Sequence, residues 1–190
     1  MKRSKLLILG TVLGLVFAFH ANAYGQDFFV GIKFGLALQD ISFGDVQIEY
    51  NAQTDITYGF RLGVIIENIG IEASYYYAQH FPDPEAPPPP EYDIERLDLK
   101  NFSLNILYFF NVPVVQPYIT AGYGTYQMTL AGFDKDRSGG FNIGLGASIK
   151  AGKSVSFSAE GKYHMVTFEF DQGKLKVDDF AWNISVNYHF

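Results

Sequence analysis

The strongest constraint on the fold of this chain is an alternation with a period of two residues, which is the period of a β-strand and not of a helix. In segment 180–190, large apolar side chains alternate with small or polar ones. One face carries Phe180, Trp182, Ile184, Val186, Tyr188 and Phe190, and the opposite face carries Ala181, Asn183, Ser185, Asn187 and His189. Segment 28–38 alternates in the same way, so both segments are predicted to be long strands.

Six further segments with the same alternation lie between these two, at about 56–66, 69–77, 102–110, 118–130, 141–149 and 155–163. Segment 118–130 is the least regular, because Tyr123 and Tyr126 fall on opposite faces. Each segment has about 10 residues or more, the length that a tilted strand needs to cross a bilayer, whereas soluble strands average about 5 or 6. We therefore predict an all-β fold, an eight-stranded antiparallel up-and-down transmembrane β-barrel.

The charged residues of these strands indicate which face points outward. They lie on the face with the small side chains: Lys33, Arg61, Glu72, Glu160 and Lys162. A soluble barrel would turn the large apolar face inward, but eight strands enclose room only for side chains or one small ligand. The large apolar residues must then face lipid, and the charges must face the lumen. We predict that these charges form ion pairs that close the lumen; the alternative is a gated ion path.

The first 23 residues have the pattern of a cleaved secretory signal peptide. A positive start precedes an apolar stretch over 6–19 and a small-x-small cleavage site at 21–23; its basic residues are Lys2, Arg3 and Lys5. The predicted domains are a signal peptide (1–23) and an outer-membrane barrel (24–190). Of the 14 basic residues 11 then remain, against 20 acidic residues, a net charge of −9 that argues against nucleic acid as a partner. There is no cysteine, which excludes disulfides and thiolate chemistry.

Short and long connections alternate along the predicted barrel. The long ones, at about 39–55, 78–96, 131–139 and 169–179, are predicted to be external, and the short ones periplasmic. The first two are acidic, and the second contains four consecutive prolines, a composition that favours a stiff extended rod or a solvated loop. The acidic residues are predicted to form a solvated surface, and the alternative is binding of divalent cations that bridge to lipopolysaccharide phosphates.

The predicted mature chain, essentially all of residues 24–190, resembles the OmpA/OmpX-type small barrels of the "outer membrane protein beta-barrel" family. A terminal Phe190 with Tyr188 two residues before it is similar to that family's insertion signal, and segments 116–124 and 159–163 are similar to its fifth and seventh strands. The resemblance implies a monomer in the Gram-negative outer membrane, in contact with lipids and lipopolysaccharide. It also implies periplasmic chaperones and the barrel-assembly machinery as partners during biogenesis.

Function is the least constrained property of the sequence. His80 and His164 are the candidate catalytic bases, but neither has a nucleophile at a recognisable spacing, so no catalytic residue, cofactor or metal site is predicted. The outward aromatics are predicted to form interfacial girdles: Tyr75, Tyr77, Tyr108, Tyr163 and Trp182. We expect a non-enzymatic barrel with a structural or surface-interaction role through its external loops. The alternatives are a narrow channel for ions or small apolar molecules and, third, a lipid A-modifying enzyme.

Overall fold

The structure, a computed structural model, describes residues 26–43, 50–51, 54–80, 83–84, 97–130, 136–170 and 173–190. Its strands are β1 (Gln26–Phe43), β2 (Tyr50–Asn51), β3 (Thr54–Ile66), β4 (Ile69–His80), β5 (Asp83–Pro84), β6 (Leu97–Phe109), β7 (Val115–Leu130), β8 (Asp136–Lys150), β9 (Val155–Phe170) and β10 (Gly173–His189). The predicted signal peptide and most of the first two predicted loops, with their acidic residues and prolines, lie outside the described residues. Within the described part of the chain, no helix is long and apolar enough to span a membrane.

Eight of the strands close into one antiparallel barrel, in the order β1-β3-β4-β6-β7-β8-β9-β10 and back to β1, and β2 pairs with β5 beside it. The prediction of an eight-stranded antiparallel barrel is confirmed. A line of cross-strand partners that leaves β1 at Gly31 passes once around the barrel and returns to β1 at Ile41, ten residues further on. Such a stagger tilts the strands by about 35–45° from the barrel axis. Closure gives every barrel strand a hydrogen-bonded neighbour on both sides, as a bilayer requires.

Within the part of the barrel that faces lipid, the two faces of the wall differ as the alternation predicts. Large apolar side chains on all eight barrel strands point outward, for example Phe34, Leu104, Leu145 and Ile184. The lumen-facing positions between them include small and polar residues that are buried. A continuous apolar belt around the outside is stable only in contact with lipid.

The two ends of the barrel have different connections. Residues 67–68, 110–114 and 151–154 connect strands at one end, which we call the short-turn end; the opposite end is the long-loop end. The prediction of a loop over 169–179 is wrong, because β9 runs to Phe170 and β10 begins at Gly173. The alternation continues there with its polarity reversed. Phe168 and Leu175 are buried on the lumen side, while Glu169 and Lys174 face outward. Above the lipid belt the outside is water, so the apolar face turns inward.

Candidate functional site

The middle of the lumen contains a cluster of charges, which we call the ionic layer: Lys33, Arg61, Glu72, Glu160 and Lys162. Each of these side chains is at most 4% exposed. The ammonium nitrogens of Lys33 and Lys162 each lie 3.2 Å from one carboxylate oxygen of Glu160. Arg61 forms an ion pair with Glu72, and Lys162 also lies 3.9 Å from Glu72. The structure therefore brings all five predicted lumen charges into one connected cluster.

The ionic layer fits in a narrow lumen because its neighbours are small or donate hydrogen bonds. Gly35 has no space for a side chain, since a Cβ there would overlap the carbonyl oxygen of Trp182. The Asn105 side-chain amide donates to Glu72 at 3.0 Å, and the Tyr118 hydroxyl donates to Glu160 at 3.2 Å. Three cations face two carboxylates, so the layer has a formal charge of +1. Buried charges at this density are tolerable only because they are paired and hydrogen-bonded.

Toward the short-turn end, the lumen contains a small apolar cluster of Leu107, Phe109 and Tyr118 with Ile65 packed against it. We call this the lower cluster. The guanidinium carbon of Arg61 lies 5.1 Å from the centre of the Phe29 ring, which adds a cation–π contact between the ionic layer and this end. Within the lower cluster the Phe109 and Tyr118 rings pack against each other, with their centres 5.2 Å apart.

Toward the long-loop end, the lumen is filled by a larger apolar cluster, which corrects the expectation of a small and polar interior. We call it the upper cluster: Ala37, Tyr76, Ala78, Leu99, Tyr126, Met128, Val166, Phe168, Leu175, Val177 and Ala181. His164, one of the two candidate bases in the sequence, also lies in this part of the lumen. Its side chain is 2% exposed inside the lumen, 2.8 Å from the Tyr126 hydroxyl and stacked on the Tyr76 ring.

The predicted aromatic residues lie on the outer face of the wall. Trp182, Tyr108 and Tyr163 are 55%, 45% and 37% exposed, and Tyr75 and Tyr77 are half-buried by neighbouring rings. Tyr188 and Phe190 also face outward at the short-turn end, with their ring centres 5.1 Å apart. The irregular segment 118–130 is explained by the same geometry, because Tyr123 faces outward and Tyr126 faces the lumen.

One cluster near the short-turn end was missed by the sequence reasoning. His189 of β10 lies between Ser156 of β9 and Asp27 of β1, within hydrogen-bond distance of both. These residues are far apart in the sequence, and only the strand register brings them together. The signal available in the sequence was that Ser156 and His189 lie on the inward face of their strands. Among the described residues there is no group of three or more His, Cys, Asp or Glu side chains placed to bind a metal ion.

The fold and lumen define a class, the small transmembrane β-barrels. The sequence matches the family model of the outer membrane protein beta-barrel domain over residues 11–190, nearly the whole chain. The chain therefore belongs to this family, and its location is the outer membrane of a Gram-negative cell. The resemblance noted in the sequence is confirmed.

Solved structures with low sequence identity share the fold. Neisserial surface protein A (NspA) superposes with a TM-score of 0.67 and 16% identity, covering 86% of this chain and 97% of that protein. The N-terminal barrel domain of Pseudomonas aeruginosa OprF (TM-score 0.49, 16% identity, 84% and 97% covered) and the Yersinia pestis attachment invasion locus protein Ail (0.47, 17%, 85% and 98%) are also similar. No curated protein matched the sequence. At these identities the likeness shows the fold alone.

Proposed function

We propose that this protein is a closed, non-conducting outer-membrane barrel with a structural or surface-interaction role, in which the wall is a platform for the external loops. The observation that carries the proposal is the filling of the lumen at three successive heights. The lower cluster, the ionic layer and the upper cluster each consist of side chains that are buried or nearly so. Among the described residues, this filling supports a lumen without a continuous water path between its ends.

The platform role is supported by the strands at the long-loop end. There β9 and β10 continue past the apolar belt and present charged side chains outward, including the exposed pair of Glu169 and Lys174, 2.8 Å apart. Loops held on such a rigid base can present a recognition surface without mobility of the base itself. We propose that an extracellular ligand or lipopolysaccharide is contacted from this end, through the acidic loops of the sequence.

Single-channel recording of the refolded barrel, residues 24–190, in a planar bilayer tests closure. We expect no conductance from the wild-type protein. The Arg61→Ala/Glu72→Ala double variant shows which part of the lumen is the barrier: leakage identifies the ionic layer, and silence assigns closure to the two apolar clusters. A Glu169→Gln/Lys174→Gln double variant removes an exposed pair and is the matched control. Steady conductance from the wild type would contradict the proposal.

A narrow channel is the second candidate, and one observation favours it. Asn101 and Thr120 face the lumen, are 1% and 2% exposed, and have side-chain polar atoms without a hydrogen-bond partner in the described part of the chain. Buried polar groups of this kind are usually satisfied by internal water. A hydrated lumen beside a layer of charge +1 would conduct anions in preference to cations, and reversal potentials in asymmetric chloride solutions would show this selectivity.

A further inference from the structure

Ser156, His189 and Asp27 form a connected array at the short-turn end of the lumen. The Ser156 hydroxyl oxygen lies 2.8 Å from Nε2 of His189, and Nδ1 of the same ring lies 2.6 Å from a carboxylate oxygen of Asp27. Ser156 and His189 are 1% and 8% exposed. A hydroxyl, an imidazole and a carboxylate in this order have the mutual geometry of a nucleophile, a general base and the group that orients the base.

The hydrogen-bonding capacities of the three groups fix the direction of each bond. The Asp27 carboxylate also lies 3.0 Å from the Lys150 ammonium, so it is an acceptor, and Nδ1 of His189 must carry the proton. In the neutral ring Nε2 then has a lone pair and accepts the proton of Ser156. This is the tautomer that a serine nucleophile requires, because the same nitrogen can take up the proton when the oxygen attacks.

A cavity and a donor are present beside the serine. Ser156 and His189 line an internal cavity of about 20 Å³, room for about one water molecule. The Asn187 side-chain amide donates to the Ser156 oxygen at 3.1 Å, so it is in reach of an oxyanion formed on an acyl group there. Arg61 also lines the cavity, and its Nε and Nη1 have no hydrogen-bond partner among the described residues. The cavity therefore favours negative charge.

Access to the cavity is from the short-turn end. A second pocket of about 210 Å³ opens there, and it shares four lining residues with the cavity: Ile65, Phe109, Gln116 and Lys150. The two spaces are therefore adjacent, with these side chains lining both of them. A substrate must be slender, and rearrangement of the Phe109 ring, which is 8% exposed, is the simplest way to admit it.

We propose that this array is a serine-hydrolase site for small carboxylic esters that enter from the short-turn end. The Ser156 oxygen attacks the ester carbonyl carbon while its proton moves to Nε2 of His189, and Asn187 donates to the oxyanion. The bond from carbon to the alcohol oxygen breaks, and the leaving alcohol takes the proton from His189. Water then attacks the acyl-serine with His189 as base, releasing the acid and restoring Ser156. This activity goes beyond the proposed platform role, and it would contradict the expectation from the sequence that the barrel is non-enzymatic.

The test uses the refolded barrel with 4-nitrophenyl acetate as substrate and a fluorophosphonate as covalent probe. We expect the wild-type protein to hydrolyse the ester faster than the Ser156→Ala background, and the rate to fall by about 10²-fold or more in His189→Gln. Mass spectrometry should locate a phosphonate adduct on Ser156. Asp27 is a positioning residue, so Asp27→Asn should lower labelling and Asp27→Glu should restore part of it.

Two controls separate chemistry from folding. Ser185→Ala removes another buried lumen serine that does not line the cavity and should keep full activity. The electrophoretic mobility of the unheated barrel reports folding of each variant. If folded wild-type protein forms no adduct on Ser156 and hydrolyses the ester no faster than folded Ser156→Ala, the proposal is overturned, and the array is only a hydrogen-bonded clasp between β1, β9 and β10.

Discussion

The ionic layer in the middle of the lumen and the upper cluster at the long-loop end occupy the same tube but have opposite chemistry. In the ionic layer, three cationic and two anionic side chains form ion pairs with one another. In the upper cluster, apolar side chains such as Phe168, Leu175 and Met128 pack together, each at most 1% exposed. This difference in side-chain chemistry follows from what surrounds the wall, which is lipid at one height and water at the other.

At the height of the ionic layer the wall is surrounded by apolar side chains that face lipid, for example Phe34 and Ile184. Burying apolar groups in the lumen there gains little, because lipid would solvate them as well. Near the upper cluster the outward residues include Glu169 and Lys176, which face water. Here the hydrophobic effect acts as in a soluble protein. The barrel is therefore stabilised by polar pairing within the bilayer and by an ordinary apolar core above it.

The largest test of this comparison is Glu160→Ala. The change leaves the ammonium groups of Lys33 and Lys162 buried without the carboxylate that both contact at 3.2 Å. We expect a loss of about 3–5 kcal/mol in the free energy of unfolding, measured by urea titration of the barrel in lipid vesicles.

The matched control is Glu169→Gln, which breaks a pair with Lys174 in which both side chains are about 70% exposed. Solvent screens such pairs, so the urea midpoint should not move. A similar shift for both variants would show that the ionic layer is hydrated and that its pairing does not stabilise the barrel.

The next test addresses the upper cluster with Leu175→Ala. This side chain is fully buried, and its removal should create a cavity that costs about 2–5 kcal/mol of unfolding free energy. Leu145→Ala is the control, because Leu145 is 66% exposed to lipid, whose acyl chains can occupy the vacated space. If the two variants have equal urea midpoints in vesicles, the upper cluster does not act as a hydrophobic core.

The sequence predicted the wall well because the period of two is a local property. Any segment that alternates between lipid and lumen shows the pattern within its own ten residues, as β10 does. The inward charges could be assigned for the same reason, since an Arg or Lys facing lipid at the bilayer midplane costs about 2–4 kcal/mol.

The features that were missed depend on height and on register, which alternation alone does not encode. Beyond the lipid belt the polarity of the two faces reverses, so Leu175 was taken for part of a loop and the inward-facing Phe168 was left out of the predicted strands. His164 has the same parity as Glu160, but only the stacking on Tyr76 shows what holds it in the lumen. The contact of Ser156 with His189 follows from the register between β9 and β10, which no single strand contains.

The smallest predicted change in stability is for a substitution of Asp179, and its direction is clearly defined. Asp179 is fully buried near the upper cluster, accepts a hydrogen bond from the Tyr76 hydroxyl at 2.8 Å, and has a second oxygen without a hydrogen-bond partner in the described residues. A carboxylate in this position is costly if ionised, whereas the amide of Asp179→Asn can still accept from Tyr76.

We therefore expect Asp179→Asn to leave the urea midpoint unchanged or to raise it, whereas Glu160→Gln should lower it. Tyr76→Phe removes the hydroxyl that donates to Asp179 and should cost about 1–3 kcal/mol. The cost should shrink in the Tyr76→Phe/Asp179→Asn double variant, because the group that loses this donor is then neutral. Destabilisation by Asp179→Asn as large as that by Glu160→Gln would mean that Asp179 is a paired charge. The upper lumen would then be a second ionic layer and not an apolar core.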